Sequence, residues 1–179
     1  MARKKNIILG ISASIAIYKS CDIIRRIRAK GDSITAVMTK EAAELISPLV
    51  FQSLSGDKVY CGMFDPVETW EMEHISLAKK ADLILIAPAT ANIIAKIAAG
   101  ICDDLLTCIV LATRAPVLIA PAMNEGMYNN KITQGNINKL KSLGYIFIGP
   151  RKGKLACGDI GIGCLADIDM ILKKVEAIL

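Results

Sequence analysis

The sequence carries a single histidine and a single tryptophan in 179 residues, and aromatic side chains make up only 4% of it. The core it can build is therefore aliphatic, and there is no row of rings on which single-stranded nucleic acid could stack. The three-glycine fingerprint of dinucleotide sites is also missing: after the first strand-like run only Gly10 stands where three glycines are needed. The second such run closes on Thr39-Lys40, with no acid to hold a ribose hydroxyl, and both absences count against NAD. No Cys-x-x-Cys pair occurs among the six cysteines, and one histidine adds little, so no metal site is expected. The apolar run after Arg3-Lys4-Lys5 is short and no cleavage site follows, so it reads as a first strand and not a signal peptide. Reduced thiols in a cytoplasmic protein are the matching expectation. The longest apolar stretch is broken by Pro88, Asn92 and Lys96, so no membrane-spanning helix is expected. The net charge of +5 is dispersed, which suits solvated helix faces and a phosphorylated small substrate better than a nucleic-acid groove.

What is present is a succession of buried strands and helices. Asn6 to Ile11, Ser33 to Met38, Asp82 to Ala87, Pro116 to Ala120 and Tyr145 to Ile148 are apolar without polar alternation, as strands covered on both faces are. Between them fall a helix from about Ile15 to Ala29, short helices from Glu41 to Leu54 interrupted by Pro48, and helices Ile93 to Ala99, Leu105 to Ala112 and Lys131 to Leu143. Asp167 to Leu179 supplies the last helix. Ser55 to Glu73 is the least regular part, with a brief strand around Lys58 to Cys61 and with Trp70 as a packing residue. Gly149 to Gly163, with five glycines, reads as a mobile loop with close backbone approaches. The pattern predicts one domain over residues 1–179: an α/β, Rossmann-like, doubly wound, mostly parallel sheet of about six strands with helices on both faces. The helix after Asn92 is apolar almost all round, which predicts burial on several sides, including by another subunit.

In such sheets ligands bind outside the carboxyl ends of the strands. There, Gly10, Ser12 and Ser14 precede a helix and suit a phosphate. Pro88 to Asn92 and Pro121 to Asn124 are two matching strand ends: an apolar strand, a proline, then a small amide. Pro88 is expected to stop its strand. His74 is the one side chain whose residue type titrates near neutral pH. Cys157, between Ala156 and Gly158, has little side-chain cover, unlike an ordinary core cysteine.

Four blocks, His74 with Ser76-Leu77, Pro88 to Asn92 with its tail to Leu106, Pro121 to Tyr128, and Leu155 to Gly163, resemble the flavin-dependent cysteine decarboxylases, in the family order and over nearly the whole chain. The resemblance, nearest to the branch acting in coenzyme A biosynthesis, implies FMN-dependent decarboxylation of 4'-phosphopantothenoylcysteine to 4'-phosphopantetheine. It implies FMN held by Gly10, Ser12, Ser14 and Thr39 near the phosphate, with Pro88, Ala89, Thr90, Ala91, Asn92 and Ala122 around the ring. It further implies His74 as catalytic base and Cys157 as donor of the later proton, with Asn124 on the substrate carboxylate and Ala156 to Gly158 in a flap. The family's sites lie between subunits of trimers, often assembled into dodecamers, and a phosphopantothenate–cysteine ligase domain or chain is a possible companion. Neither a membrane nor a nucleic acid is implied. Peptidyl-cysteine decarboxylases, which release an oxidised enethiol and lack the flap cysteine, are the alternative, as are non-catalytic flavin-binding regulatory subunits. Two positions depart from the family: Ile93 replaces a hydroxyl residue, and Cys164 stands where many relatives carry arginine, leaving Lys152 or Lys154 to supply that charge.

Overall fold

The computed structural model describes residues 3–63 and 72–179; the reading of Trp70 lies outside the described residues. Strands β1 (Asn6–Ile11), β2 (Ser33–Met38), β3 (Leu83–Ala89), β4 (Val117–Pro121) and β5 (Ile146–Phe147) form a parallel sheet in the order β2-β1-β3-β4-β5. Side chains alternate between two cores. Ile7, Leu9 and Ile11 of β1 point to one face with Leu83, Leu85 and Ala87 of β3, under α1 (Lys19–Ala29), α3 (Pro48–Ser55) and α9 (Ile168–Ile178). Ile8, Ile84 and Ile86 point to the other, under α4 (Glu73–Lys80), α5 (Ala91–Ala99), α6 (Leu105–Ala112) and α8 (Lys131–Ser142). Two covered faces are why the strands show no polar alternation. The chain leaves β1 toward β2 on one side and β3 on the other, so the switch point lies between the carboxyl ends of β1 and β3. Among the described residues no helix is long and apolar enough to cross a membrane.

Local chemistry sets most boundaries. Thr90 caps α5 by accepting from Ile93 N, and Gly100 closes it in the left-handed conformation. Asp104 and Thr107 form a reciprocal capping box at α6. Pro48 occupies the first turn of α3, where its missing N–H costs nothing, and so divides it from α2 (Lys40–Leu45). The helix expected from Ile15 splits, because Ser14 caps a 3-10 turn, Ile15–Tyr18, before α1 begins. Glu73–Lys80 forms a helix that the sequence reading left unassigned. The brief strand expected around Lys58 to Cys61 amounts to one parallel bridge, Val37 to Tyr60.

Two expectations are corrected. Pro88 does not end its strand: β3 runs through it to Ala89, and the register with β4 shifts between Ile86 and Ala89, which accommodates the missing donor. The glycine-rich stretch is not a free loop. It is an antiparallel hairpin of β6 (Arg151–Lys154) and β7 (Ile160–Cys164), and a Cβ on Gly163 would collide with the Met123 carbonyl. Within its own chain, the apolar α5 sets Ile93, Ile94, Ile97 and Ala98 into the second core.

Gly10 also has a packing reason. A Cβ there would meet Leu106 Cδ1 at 2.6 Å, and Leu106 is itself buried. Gly10→Ala is expected to destabilise the fold by about 1–3 kcal/mol, as overpacked cores typically do. A denaturant midpoint equal to the parent's contradicts this.

Candidate active site

Ser12 holds the switch point together. Its hydroxyl donates to the Pro88 carbonyl (2.8 Å) and accepts from Thr90 N (3.0 Å), joining the ends of β1 and β3 from a buried position. Ala122 N donates to the Ala89 carbonyl (2.9 Å), which ties in the end of β4. Met123 N donates to the Gly163 carbonyl (3.0 Å), which fastens the hairpin over that edge. Glu125, in the first turn of α7 (Glu125–Asn129), accepts from Ile162 N (2.9 Å) and holds β7 a second time.

The hairpin and the strand ends enclose a cleft of about 490 Å³, within the range of small-molecule sites. Ala13, Ala91 and Ala122 give it small-residue walls. Ser14, Thr90, Asn124, Ala156 and Cys157 line it, as do Lys19, Arg151 and Lys154, and among the described residues no carboxylate does. Arg151 is paired with Asp167 (2.9 Å), and the charge of Lys19 and Lys154 in the lining favours an anionic ligand.

The structure brings Asn124 and Cys157 together from elements 33 residues apart: Asn124 Nδ2 donates to Cys157 Sγ at 3.7 Å. The Asn124 oxygen accepts from Gly126 N (2.8 Å), so the amide is fixed as the cap of α7 with its nitrogen turned toward the thiol. Cys157 Sγ in turn donates to Asp159 Oδ2 (3.4 Å). The tip of the hairpin is closed by Leu155 N to the Asp159 carbonyl (2.8 Å), and Gly158 takes a positive φ of 98° there. Gly158 thus serves the turn that presents Cys157 and does not itself line the cleft. Cys164 lines the cleft too, its thiol donating to the Lys154 carbonyl (3.3 Å).

Other residues singled out from sequence lie apart from this lining. Gly10 is inside β1 beneath Leu106. Thr39 caps α2, with Oγ1 accepting from Ala42 N (3.2 Å). Ser12, Pro88 and Ala89 are buried beneath the cleft as the strand-end clasp. Asn92 is exposed on α5, so the two strand-end amides do not converge. His74 sits half-buried in the first turn of α4, which packs in the second core, and does not line the cleft. Of the two lysines offered for the missing arginine, Lys154 lines the cleft and Lys152 does not. Sequence reasoning missed Lys19, Tyr18, Met127 and Arg151; a lysine opening α1 beside the Ser12–Ser14 turn was the available signal.

The Flavoprotein family profile matches residues 1–179. The chain is 52% identical over 159 residues to the coenzyme A biosynthesis bifunctional protein CoaBC of Vibrio vulnificus, a match covering 89% of this chain and 40% of that protein. It therefore spans about two fifths of the bifunctional relatives it matches. It is 44% identical over 174 residues to a probable phosphopantothenoylcysteine decarboxylase of Streptococcus mutans, covering 96% of this chain and 97% of that one. Among solved structures it is similar to a PPC decarboxylase mutant complexed with pantothenoylaminoethenethiol, with TM-score 0.85, 33% identity and 98% of each chain covered. It is also similar to the FMN-dependent cysteine decarboxylase SpaF, with TM-score 0.84, 29% identity and 97% of each chain covered.

Proposed function

The chain belongs to the Flavoprotein family, and from that premise we propose that it holds FMN in the switch-point cleft and decarboxylates 4'-phosphopantothenoylcysteine to 4'-phosphopantetheine, in the cytoplasm. The observation that carries this reading is the Asn124–Cys157 contact at the rim of a cation-lined cleft. The names of the relatives agree with it, a probable phosphopantothenoylcysteine decarboxylase of nearly the same length among them.

The lining suits the cofactor. The alanine walls admit a flat ring close to the backbone, and Lys19 and Lys154 offer charge to phosphates, while Arg151 is paired with Asp167. When bound, FMN would supply the hydride acceptance that loss of CO₂ from a cysteine carboxylate requires, and the hydride return that completes the aminothiol. The chain's own groups do the rest. Asn124, rigid as a helix cap, offers its amide nitrogen to the substrate carboxylate. Cys157 stands beside that amide and delivers the proton that completes the product. His74 takes the thiol proton at the outset.

Because His74 does not line its own chain's cleft, we assign that role to His74 of a neighbouring copy in a homo-oligomer, a trimer or a dodecamer of trimers. Two exposed apolar surfaces support this: Ile15 (65% exposed) and Tyr18 (60%) on the cleft wall, and Met72 (69%), the N-cap of α4, with Ile75 next to His74. Different patches that meet head to tail generate a ring when the rotation closes. A ligase domain on the same or a separate chain, as in the bifunctional relatives, would supply the substrate.

The chain is expected to purify yellow with one noncovalent FMN, and to release CO₂ and the aminothiol from 4'-phosphopantothenoylcysteine when assayed by mass spectrometry. A colourless protein that takes up no added FMN overturns the reading, as does stoichiometric FAD or NAD. An FMN-loaded chain inert toward this substrate but active on a peptide ending in cysteine reassigns it to the peptidyl branch.

A further inference from the structure

Away from the cleft, three sulfur-bearing residues gather where α6 meets the chain that follows the Tyr60 bridge. Cys108 Sγ lies 3.7 Å from Met63 Sδ and 3.6 Å from the Cys102 carbonyl. Cys102 is exposed in the middle of the loop between α5 and α6, whereas Cys108 and Met63 are half-buried. The contact with the Cys102 carbonyl holds the Cys102 residue against Cys108, so its thiol is one side chain's length from that sulfur; burial, and then Cys102, push the Cys108 thiol up. All three sulfurs are outside the cleft lining, and nothing in the proposed decarboxylation uses them.

We propose that Met63, Cys102 and Cys108 form a binding site for one soft monovalent cation, Cu(I). Two thiols and a thioether are the donor set that selects Cu(I) over harder divalent ions. Metal–sulfur bonds of about 2.3 Å in a trigonal plane set the sulfurs about 4 Å apart. The Cys108–Met63 pair already stands at 3.7 Å, so little rearrangement is needed on that edge. Harder ions are poorly served. Among the described residues no three His, Cys, Asp or Glu side chains converge on a metal position. The nearby carboxylates are engaged: Lys96 Nζ pairs with Asp103 (2.8 Å) and Asp104 (3.2 Å). The thioether is what completes the site. Binding displaces the thiol protons to solvent, so affinity rises with pH.

The test is an anaerobic titration of the chain as purified with Cu(I) against a chromophoric Cu(I) chelator, with X-ray absorption at the copper edge. One Cu(I) per chain in a three-sulfur shell is expected. Cys102→Ser and Cys108→Ser should each weaken it by more than the roughly 10–100-fold that loss of an outer partner costs. Met63→Leu, which preserves the packing volume, should keep the FMN content and remove one sulfur from the shell. An unchanged shell in Met63→Leu overturns the site, as does unchanged affinity in the Cys102→Ser/Cys108→Ser double variant. So does a chain that takes up no Cu(I), including one in which the two cysteines only close to a disulfide in air. None of these readouts depends on decarboxylation, so failure here leaves the proposed function standing.

Discussion

His74→Asn is expected to keep its FMN and its fold while decarboxylation falls by roughly 10²–10⁴-fold, the usual contribution of a general acid–base group. The cofactor should survive because His74 is on α4 and lines no part of its own chain's cleft, and the role assigned to it in the neighbour's cleft is toward the substrate thiol, not the cofactor phosphate. The steady-state rate and the bound FMN, measured on the same sample, check both halves. Turnover within a few-fold of the parent would reduce His74 to a packing residue. The shared-site reading adds a sharper result. Mixed oligomers of His74→Asn and Cys157→Ser chains should make finished aminothiol, because a cleft with an intact Cys157 can receive the other copy's His74. No recovery on mixing, from two variants that assemble normally, would require His74 to act within its own chain or not at all.

Cys157→Ser should separate the two halves of the reaction. Loss of CO₂ is assigned to His74 with the cofactor, and the serine variant retains both. Completion of the product is assigned to the proton on Cys157 Sγ, and a serine hydroxyl is a far weaker acid than a thiol. The variant is therefore expected to release CO₂ and to yield an enethiol in place of the aminothiol. A PPC decarboxylase mutant that holds pantothenoylaminoethenethiol is similar in fold to this chain. Cys164 is a demanding control, since it lines the same cleft and its thiol is engaged by the Lys154 carbonyl. It has no contact with Asn124 comparable to that of Cys157, and Cys164→Ser should turn over at close to the parent rate. Mass spectrometry of the products decides: aminothiol from Cys157→Ser and enethiol from Cys164→Ser would exchange the two roles.

The sequence alone determined where the strands of the sheet run. The runs at Asn6 to Ile11 and Ser33 to Met38 match β1 and β2 residue for residue, because a strand buried on both faces admits only apolar side chains, and that constraint is local. The caps at Thr90, Asp104 and Gly100 are local for the same kind of reason, each being one side chain or one φ value acting on its own helix end. Pro88 misled because proline is judged by what it does to a regular ladder. The register shift against β4 that accommodates it involves residues some thirty positions away. The glycines of the hairpin misled likewise: they signal freedom when read alone, while Gly163 is required by the Met123 carbonyl pressing on it from another element.

The candidate site divides along the same line. Which residues carry chemistry was legible, since an imidazole, a thiol with little cover and an amide at a strand end are recognised by type and neighbours. Which of them meet was decided only by the tertiary structure. It set Cys157 beside Asn124 through the hairpin, turned Lys19, Arg151 and Lys154 onto one cleft, left Asn92 outside, and kept His74 on a helix away from the cleft it is proposed to serve. Side-chain type is a property of one residue. Distance is set by sheet order, crossovers and the bonds Met123–Gly163 and Glu125–Ile162, each of which joins residues far apart in the chain.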